Sequence, residues 1–240
     1  MGRCIYSGIY DPEDEHGLAD TNGYRTDVLD ALKDLKIPIV RYPGGNFLSS
    51  SRWQDGFGPK ELRLRRLELA WLTEESNQFG TAVHMPQHCM GTGKLEDALA
   101  SLEYCNSSAN THYANMRRKN GHPEPYGVKY WALGNEIWGP WQVGQMNAED
   151  YGKQAFQWAK ALRLLDPSIK LVSCGVYPVN EGNHDVNVMG PAAAEKVIEI
   201  TKSLIELAKI EGNLTKDIPV CFDEWNVCCR SILYHRAWLC

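Results

Sequence analysis

Residues 128–145 read VKYWALGNEIWGPWQVGQ. The first six, VKYWAL, form a short apolar run that does not alternate with polar residues, the pattern of a strand buried on both faces. Gly134, Asn135 and Glu136 end it, and two more tryptophans, Trp138 and Trp141, follow. An unpaired carboxylate has no place inside a core, because burying it alone costs several kcal/mol. A surface loop, equally, has little use for three tryptophans. A pocket with aromatic walls and an acid that does chemistry satisfies both constraints.

Working outward, the chain alternates helical and strand patterns. Residues 24–36 (YRTDVLDALKDLK) place Val28, Leu29, Leu32 and Leu35 on one helix face and run into IPIVRY (37–42), an apolar strand ended by Pro43-Gly44-Gly45. A helix is expected over 148–165, stopping before Asp166-Pro167, then a strand over 169–174 (IKLVSC), a helix over 191–212 and a strand over 218–222 (IPVCF). Helices between buried strands imply a parallel sheet and an α/β protein. Polar groups gather after the strands: PGGNF, GNE and DEWN. That is where a (β/α)8 barrel of the TIM type carries its active site. A doubly wound sheet binds at the same ends but is expected to show an early glycine-rich phosphate turn, and Pro43-Gly44-Gly45-Asn46 is not one. The barrel is therefore preferred.

Composition excludes other classes. With 240 residues, 43% of them hydrophobic, the chain can bury one sizeable core. Lys and Arg number 25 against 30 Asp and Glu, for a net charge of −5, so nucleic acid is not an expected partner. The one basic cluster, Arg63-Leu64-Arg65-Arg66, reads as a solvated face. No apolar run approaches the ~20 residues that span a bilayer, and MGRCIYSGIY lacks the apolar core of a signal peptide. The expectation is a cytoplasmic protein with no membrane partner. The eight cysteines show no CxxC spacing and read as reduced, mostly buried small residues. His84 and His88 stand four apart, but Met85-Pro86 argues against a shared helix and no third ligand is near, so neither metal nor cofactor is expected. Asn106-Ser107-Ser108 and Asn213-Leu214-Thr215 match glycosylation sequons, which matter only in a secreted chain.

Glu136 and Glu224 follow separate strands, each beside an Asn or Asp and close to a Trp. Glycoside hydrolysis needs one carboxylic acid to protonate the leaving oxygen and a second carboxylate to attack or to activate water. Each acid alone is ordinary: Glu136 suits a helix entry, and Glu224 suits a surface ion pair. Two strand ends in one barrel would let them converge as a local pair could not.

Further motifs carry a specific resemblance: RYPGGNF (41–47), RWQDGFGPKE (52–61), LAW (69–71), QFGT (78–81), MGTG (90–93), EYCN (103–106), VKYWALGNEIWGPWQVGQ (128–145), LLDPSIKLV (164–172) and CFDEWNV (221–227). Together they resemble the α-L-arabinofuranosidases of glycoside hydrolase family 51, from about Gly2 to Val227. The resemblance implies a (β/α)8 catalytic barrel joined to a β-sandwich and a configuration-retaining hydrolysis. It implies Glu136 as general acid/base, Glu224 as nucleophile, Asn46 and Asn135 as residues that hydrogen-bond sugar hydroxyls, and Trp71 as an aromatic at the arabinose subsite. Apolar neighbours Trp131, Ile137 and Trp138 are expected to keep Glu136 protonated. The substrate implied is an arabinose-containing oligosaccharide or polysaccharide, and a homo-oligomer is allowed.

The chain departs from that pattern in places. It begins after the strand whose Glu-His pair the family uses; only AVHMPQHC separates QFGT from MGTG; and GVYPVNEGNHDV replaces a helix and a strand bearing His-x-Tyr. CCRSILYHRAWLC (228–240) matches nothing in the family and reads as a divergent tail. The expected fold is therefore an incomplete barrel over 1–227 without the β-sandwich, with little or no activity in the chain as it stands. A catalytically inactive remnant with at most weak sugar binding is the alternative function. Another retaining glycosidase on the same barrel, such as an endoglucanase, is a third.

Overall fold

The computed structural model describes residues 5–37, 39–79, 87, 88, 90–175 and 190–222. The chain divides into two compact units, Met1–Cys174 and Gly175–Cys240.

The first unit is organised by a parallel sheet of β1 (Gln87–His88), β2 (Tyr130–Leu133) and β3 (Lys170–Ser173), in that spatial order. A separate antiparallel ribbon pairs residues Arg66–Glu68 with Thr73–Glu75. Helix α1 is Thr26–Asp34. Helices α2 (Leu95–Asn106) and α3 (His112–Lys119) connect β1 to β2, and α4 (Ala148–Leu165) connects β2 to β3. Each strand is thus paired with the next strand in sequence, and α2 packs on α4. The described strand order does not reverse, as it would at the switch point of a doubly wound sheet.

The core lies between these helices and the sheet. Leu102 and Cys105 of α2, Trp131 and Leu133 of β2, Ile137, and Trp158 and Leu162 of α4 are all buried in it. Trp131 is completely covered, and its indole N–H donates to Val128 C=O at 3.0 Å. It is a core residue and not a pocket wall. Asn106 at the end of α2 anchors the start of β2: its amide oxygen accepts from Val128 N–H at 2.8 Å, and its amide nitrogen donates to Val128 C=O at 2.9 Å and to Asp166 Oδ2 at 2.8 Å. Arg117 of α3 is fully buried and satisfied by the carbonyls of Tyr104, His122 and Pro123. Helix α4 begins at Asn147, whose side chain accepts from Asp150 N–H.

Several expectations are corrected. Residues 37 and 39–42 form no ladder strand, and Ile39 and Val40 are exposed. Residues 218–222 likewise form none, and Ile218 and Phe222 are exposed. Both runs are apolar enough for a strand, but among the described residues neither is part of a strand. Two helices, α2 and α3, were not read from the sequence; α2 buries mostly small residues such as Ala98, Ala100 and Ser101, which give a weak apolar stripe. The basic cluster is not one solvated face. Arg65 is exposed, whereas Arg63 donates to the carbonyls of Gly58, Asn77 and Gln78, and Arg66 pairs with buried Asp55.

Of the described cysteines, Cys105 is buried, Cys174 is partly buried and Cys221 is exposed. The second unit contributes helix α5 (Gly190–Glu211), whose end is closed by Gly212 N–H to Ala208 C=O and Leu214 N–H to Lys209 C=O. Ile200, Leu204, Leu207 and Ile210 of α5 are exposed. Among the described residues, no helix is long and apolar enough to cross a membrane.

Candidate active site

The site is built where β2 leaves the sheet. Gly134 takes φ +83°, and a Cβ there would lie 2.7 Å from the Ile137 side chain, so the turn requires glycine. Two residues on, Glu136 takes φ +45°, a left-handed conformation that L side chains adopt at a cost. The turn is held by Gly139 N–H to Glu136 C=O at 2.8 Å and by Met146 N–H to Ile137 C=O at 2.8 Å. Glu136 is buried, 9% exposed, and its Oε2 accepts from the Trp141 indole N–H at 3.1 Å. The Trp138 and Trp141 rings meet edge to face at 5.2 Å.

Asn135 is also buried, and both polar atoms of its side chain have protein partners. Its Oδ1 accepts from the Arg41 guanidinium, and its Nδ2 donates to Asn46 Oδ1 at 3.3 Å. Gln142, itself buried, donates to Asn135 C=O at 2.7 Å and to the Ser49 hydroxyl. Asn46 opens the 3-10 turn Asn46–Ser49. Arg41, Asn46, Ser49, Asn135 and Gln142 therefore form one polar network beneath the Glu136 turn, joining segments 94 positions apart in sequence.

Trp71 lies in the turn of the antiparallel ribbon, half-buried. Glu68, 4% exposed, holds that turn by accepting from the backbone N–H groups of Ala70 and Trp71, both at 2.8 Å, and from the Ser50 hydroxyl at 3.0 Å. Through Ser50 the Trp71 turn is tied to the segment that carries Asn46. Asn46 is thus bonded directly to Asn135, the chain neighbour of Glu136, and the Trp71 turn is tied through Glu68 to Ser50. Glu224 falls outside the described residues.

Of the apolar residues expected around Glu136, Trp131 and Ile137 lie in the core, and the Trp141 indole hydrogen-bonds the acid. Arg41, Glu68 and Gln142 escaped the sequence reading as supporting residues. Arg41 and Gln142 stood inside quoted motifs, so the signal was present without a geometry to interpret it. Among the described residues, no group of three His, Cys, Asp or Glu is arranged to hold a metal ion. A cavity of about 490 Å3 lies elsewhere, lined by Tyr42, Phe47, Trp53, Ala98, Ser101 and Trp158 among others, and Glu136 is not part of its wall.

The chain as a whole is similar to known glycosidases. Residues 84–198 match the α-L-arabinofuranosidase 1 domain family. The chain is 50% identical over 277 residues to the probable α-L-arabinofuranosidase C of Aspergillus fumigatus, covering 95% of this chain and 54% of that protein. An α-L-arabinofuranosidase of Thermotoga maritima, solved with arabinose, superposes with a TM-score of 0.69 at 48% identity, over 73% of this chain and 38% of that one. A family 51 α-L-arabinofuranosidase of Bifidobacterium longum superposes with a TM-score of 0.85 at 36% identity, over 94% and 53%. The chain spans about half the length of the curated relatives it matches. The span matched to the Aspergillus protein is longer than this whole chain, so that protein carries segments within the match that are absent here.

Proposed function

We infer, from a chain homologous to the family 51 α-L-arabinofuranosidases over about half their length, a retaining glycoside hydrolase that releases terminal α-L-arabinofuranosyl residues from arabinose-containing polysaccharides and oligosaccharides. The observation that carries this reading is the Asn135-Glu136 turn: a buried carboxyl at the C-terminal end of a parallel strand, oriented by an indole N–H and floored by a satisfied Arg41–Asn135–Asn46 network.

The chemistry assigns each group a step. Glu136, in its acid form, gives its proton to the glycosidic oxygen as the bond to C1 breaks. Glu224 attacks C1 and forms a glycosyl ester. Glu136, now a carboxylate, removes a proton from water, and that water displaces Glu224 with a second inversion. Retention needs the two carboxyl groups ~5–5.5 Å apart. Asn46 and Asn135 hydrogen-bond the sugar hydroxyls, and Trp71 covers a face of the furanose.

The scaffold we propose is an incomplete (β/α)8 barrel. Its support is the sequential strand order β1-β2-β3 with α2 packed on α4.

The test is release of arabinose from an aryl α-L-arabinofuranoside and from an arabinan oligosaccharide by the purified chain, its Glu136→Ala variant and its Glu224→Ala variant. Glu224→Ala should abolish both activities. Glu136→Ala should spare the aryl substrate, whose leaving group needs little protonation, far more than the oligosaccharide. A parent chain that melts cooperatively yet releases nothing from either substrate leaves the non-catalytic remnant as the answer.

A further inference from the structure

The hydrogen bonding between β2 and β3 is interrupted at the site end. Lys170 N–H donates to Lys129 C=O at 2.7 Å, and the register runs from Tyr130↔Lys170 to Leu133↔Ser173. In a parallel pair the rungs recur every second residue, so the next one in this series joins Cys174 N–H to Leu133 C=O. The structure fills that rung differently. Cys174 N–H donates to the Tyr151 hydroxyl at 2.7 Å, and the same hydroxyl donates to Leu133 C=O at 2.9 Å.

We propose that Tyr151 is a positioning residue for Glu136, its hydroxyl wedged between the ends of β2 and β3 so that the strand carrying the acid leaves the ladder at Gly134. The proposal rests on the glycosidase reading for its catalytic consequence but not for its structural content. A direct rung would hold the Cys174 nitrogen and Leu133 oxygen ~2.9 Å apart. An oxygen inserted between them holds the two strand ends further apart. Without that spacing, Asn135 N–H would continue the ladder to Cys174 C=O and Glu136 would extend along β3. With it, β2 ends, Gly134 turns, and Glu136 adopts its φ of +45°.

Three observations support the wedge. Tyr151 comes from the first turn of α4 and packs against the buried core, so the hydroxyl is delivered by a rigid element. Burial also raises its pKa to about 12, which keeps the phenol protonated and able to donate and accept at once. The Cys174 thiol in turn faces the Ile137 and Glu136 backbone N–H groups, so the end of β3 set by Tyr151 is packed on the turn that holds the acid.

The experiment compares the parent chain with Tyr151→Phe, which keeps the ring and removes the oxygen. Amide hydrogen exchange reads the wedge without any need for activity. In the parent, the Cys174 amide should be protected to the same order as the Val172 amide in the ladder. In Tyr151→Phe, exchange at Cys174 and across 134–139 should rise while the Val172 region stays protected. An unprotected Cys174 amide in the parent overturns the proposal even if the variant does not fold. Unchanged exchange at Cys174 and 134–139 in a folded variant overturns it as well.

Turnover reads the consequence. Loosening the acid by a fraction of an ångström should lower kcat on the arabinan oligosaccharide ~10-fold or more. KM should be little changed, and the aryl substrate should lose much less. Equal losses on both substrates would show a merely structural role and overturn the assignment. A parent without activity removes the glycosidase reading and leaves exchange to decide the wedge.

Discussion

The indole N–H of Trp141 reaches Oε2 of Glu136 across 3.1 Å, within a turn already closed by Gly139 N–H on Glu136 C=O. The donor and the acid are five residues apart, so no distant part of the fold is needed to bring them together. A hydrogen bond to the negative charge that develops on Glu136 as its proton leaves contributes up to about 1.5–3 kcal/mol, roughly 10- to 100-fold in a rate. Trp141→Phe should therefore lower kcat on oligosaccharides by about 10- to 100-fold while the melting temperature moves by only a few degrees. Steady-state kinetics beside calorimetry checks this. A full-rate variant would mean that the indole only fills space.

Glu136 carries a conformation that suits glycine better than glutamate, since its φ is +45°. An L side chain held in that region costs about 1–2 kcal/mol, and glycine does not bear the cost. Glu136→Gly should therefore be more stable than Glu136→Ala by about 1 kcal/mol, with both impaired on natural substrates. Paired denaturant melts give the comparison. If Ala is as stable as Gly, the left-handed turn is not populated in solution.

The helices at 24–36, 148–165 and 191–212 were legible because their apolar spacing or end residues are strong, and all three appear with ends shifted by at most two residues. VKYWAL and IKLVSC were legible because each is apolar, short and ended by a turn. IPIVRY and IPVCF have the same local character, yet their described residues are in no strand, since a strand needs a neighbour and the sequence does not say which runs find one. The acid and its Asn135 neighbour were legible as a motif. Their restraints were not: Arg41, Gln142 and Glu68 act across tens of residues, and only the fold shows that Gln142 spans Asn135 and Ser49 or that Glu68 ties the Trp71 turn to Ser50.

Asn46 and Trp71 should separate binding from chemistry. Asn46 shares a 3.3 Å contact with Asn135, so Asn46→Ala removes a proposed sugar ligand and also one support of the network. Trp71 is held through its backbone by Glu68, and Trp71→Ala leaves that bond in place. Trp71→Ala should therefore raise KM with little change in stability, whereas Asn46→Ala should lower both kcat/KM and the melting temperature. Isothermal titration with arabinose on the inactive Glu224→Ala background isolates the binding part. Unaltered affinity in both variants would remove these residues from the subsite.

Asn106 and Asp166 link the anchoring of β2 to pH. The Asp166 carboxyl is partly buried, which by itself raises its pKa, but hydrogen bonds from the Ser168 side chain, Asn106 and the Ser168 backbone outweigh burial and bring it below the ordinary 3.8. A carboxyl whose pKa is lower in the folded chain than in the unfolded chain adds stability above the unfolded value. That stability is lost as pH falls through the folded value, because the unfolded chain then binds the proton more readily. Asn106→Ala removes the 2.8 Å donor to Asp166 and also leaves Val128 N–H and C=O without their side-chain partner. The Val128 loss does not depend on pH and should cost about 1–3 kcal/mol. The Asp166 part does depend on it, so the gap in stability between parent and variant should be widest well above pH 3.8 and should narrow, without closing, as pH drops below that value. Denaturant melts at a series of pH values measure the gap directly. A gap constant across the acid range would show that Asn106 does not act on the Asp166 carboxylate, and a gap that closes completely would show that its bonds to Val128 contribute nothing.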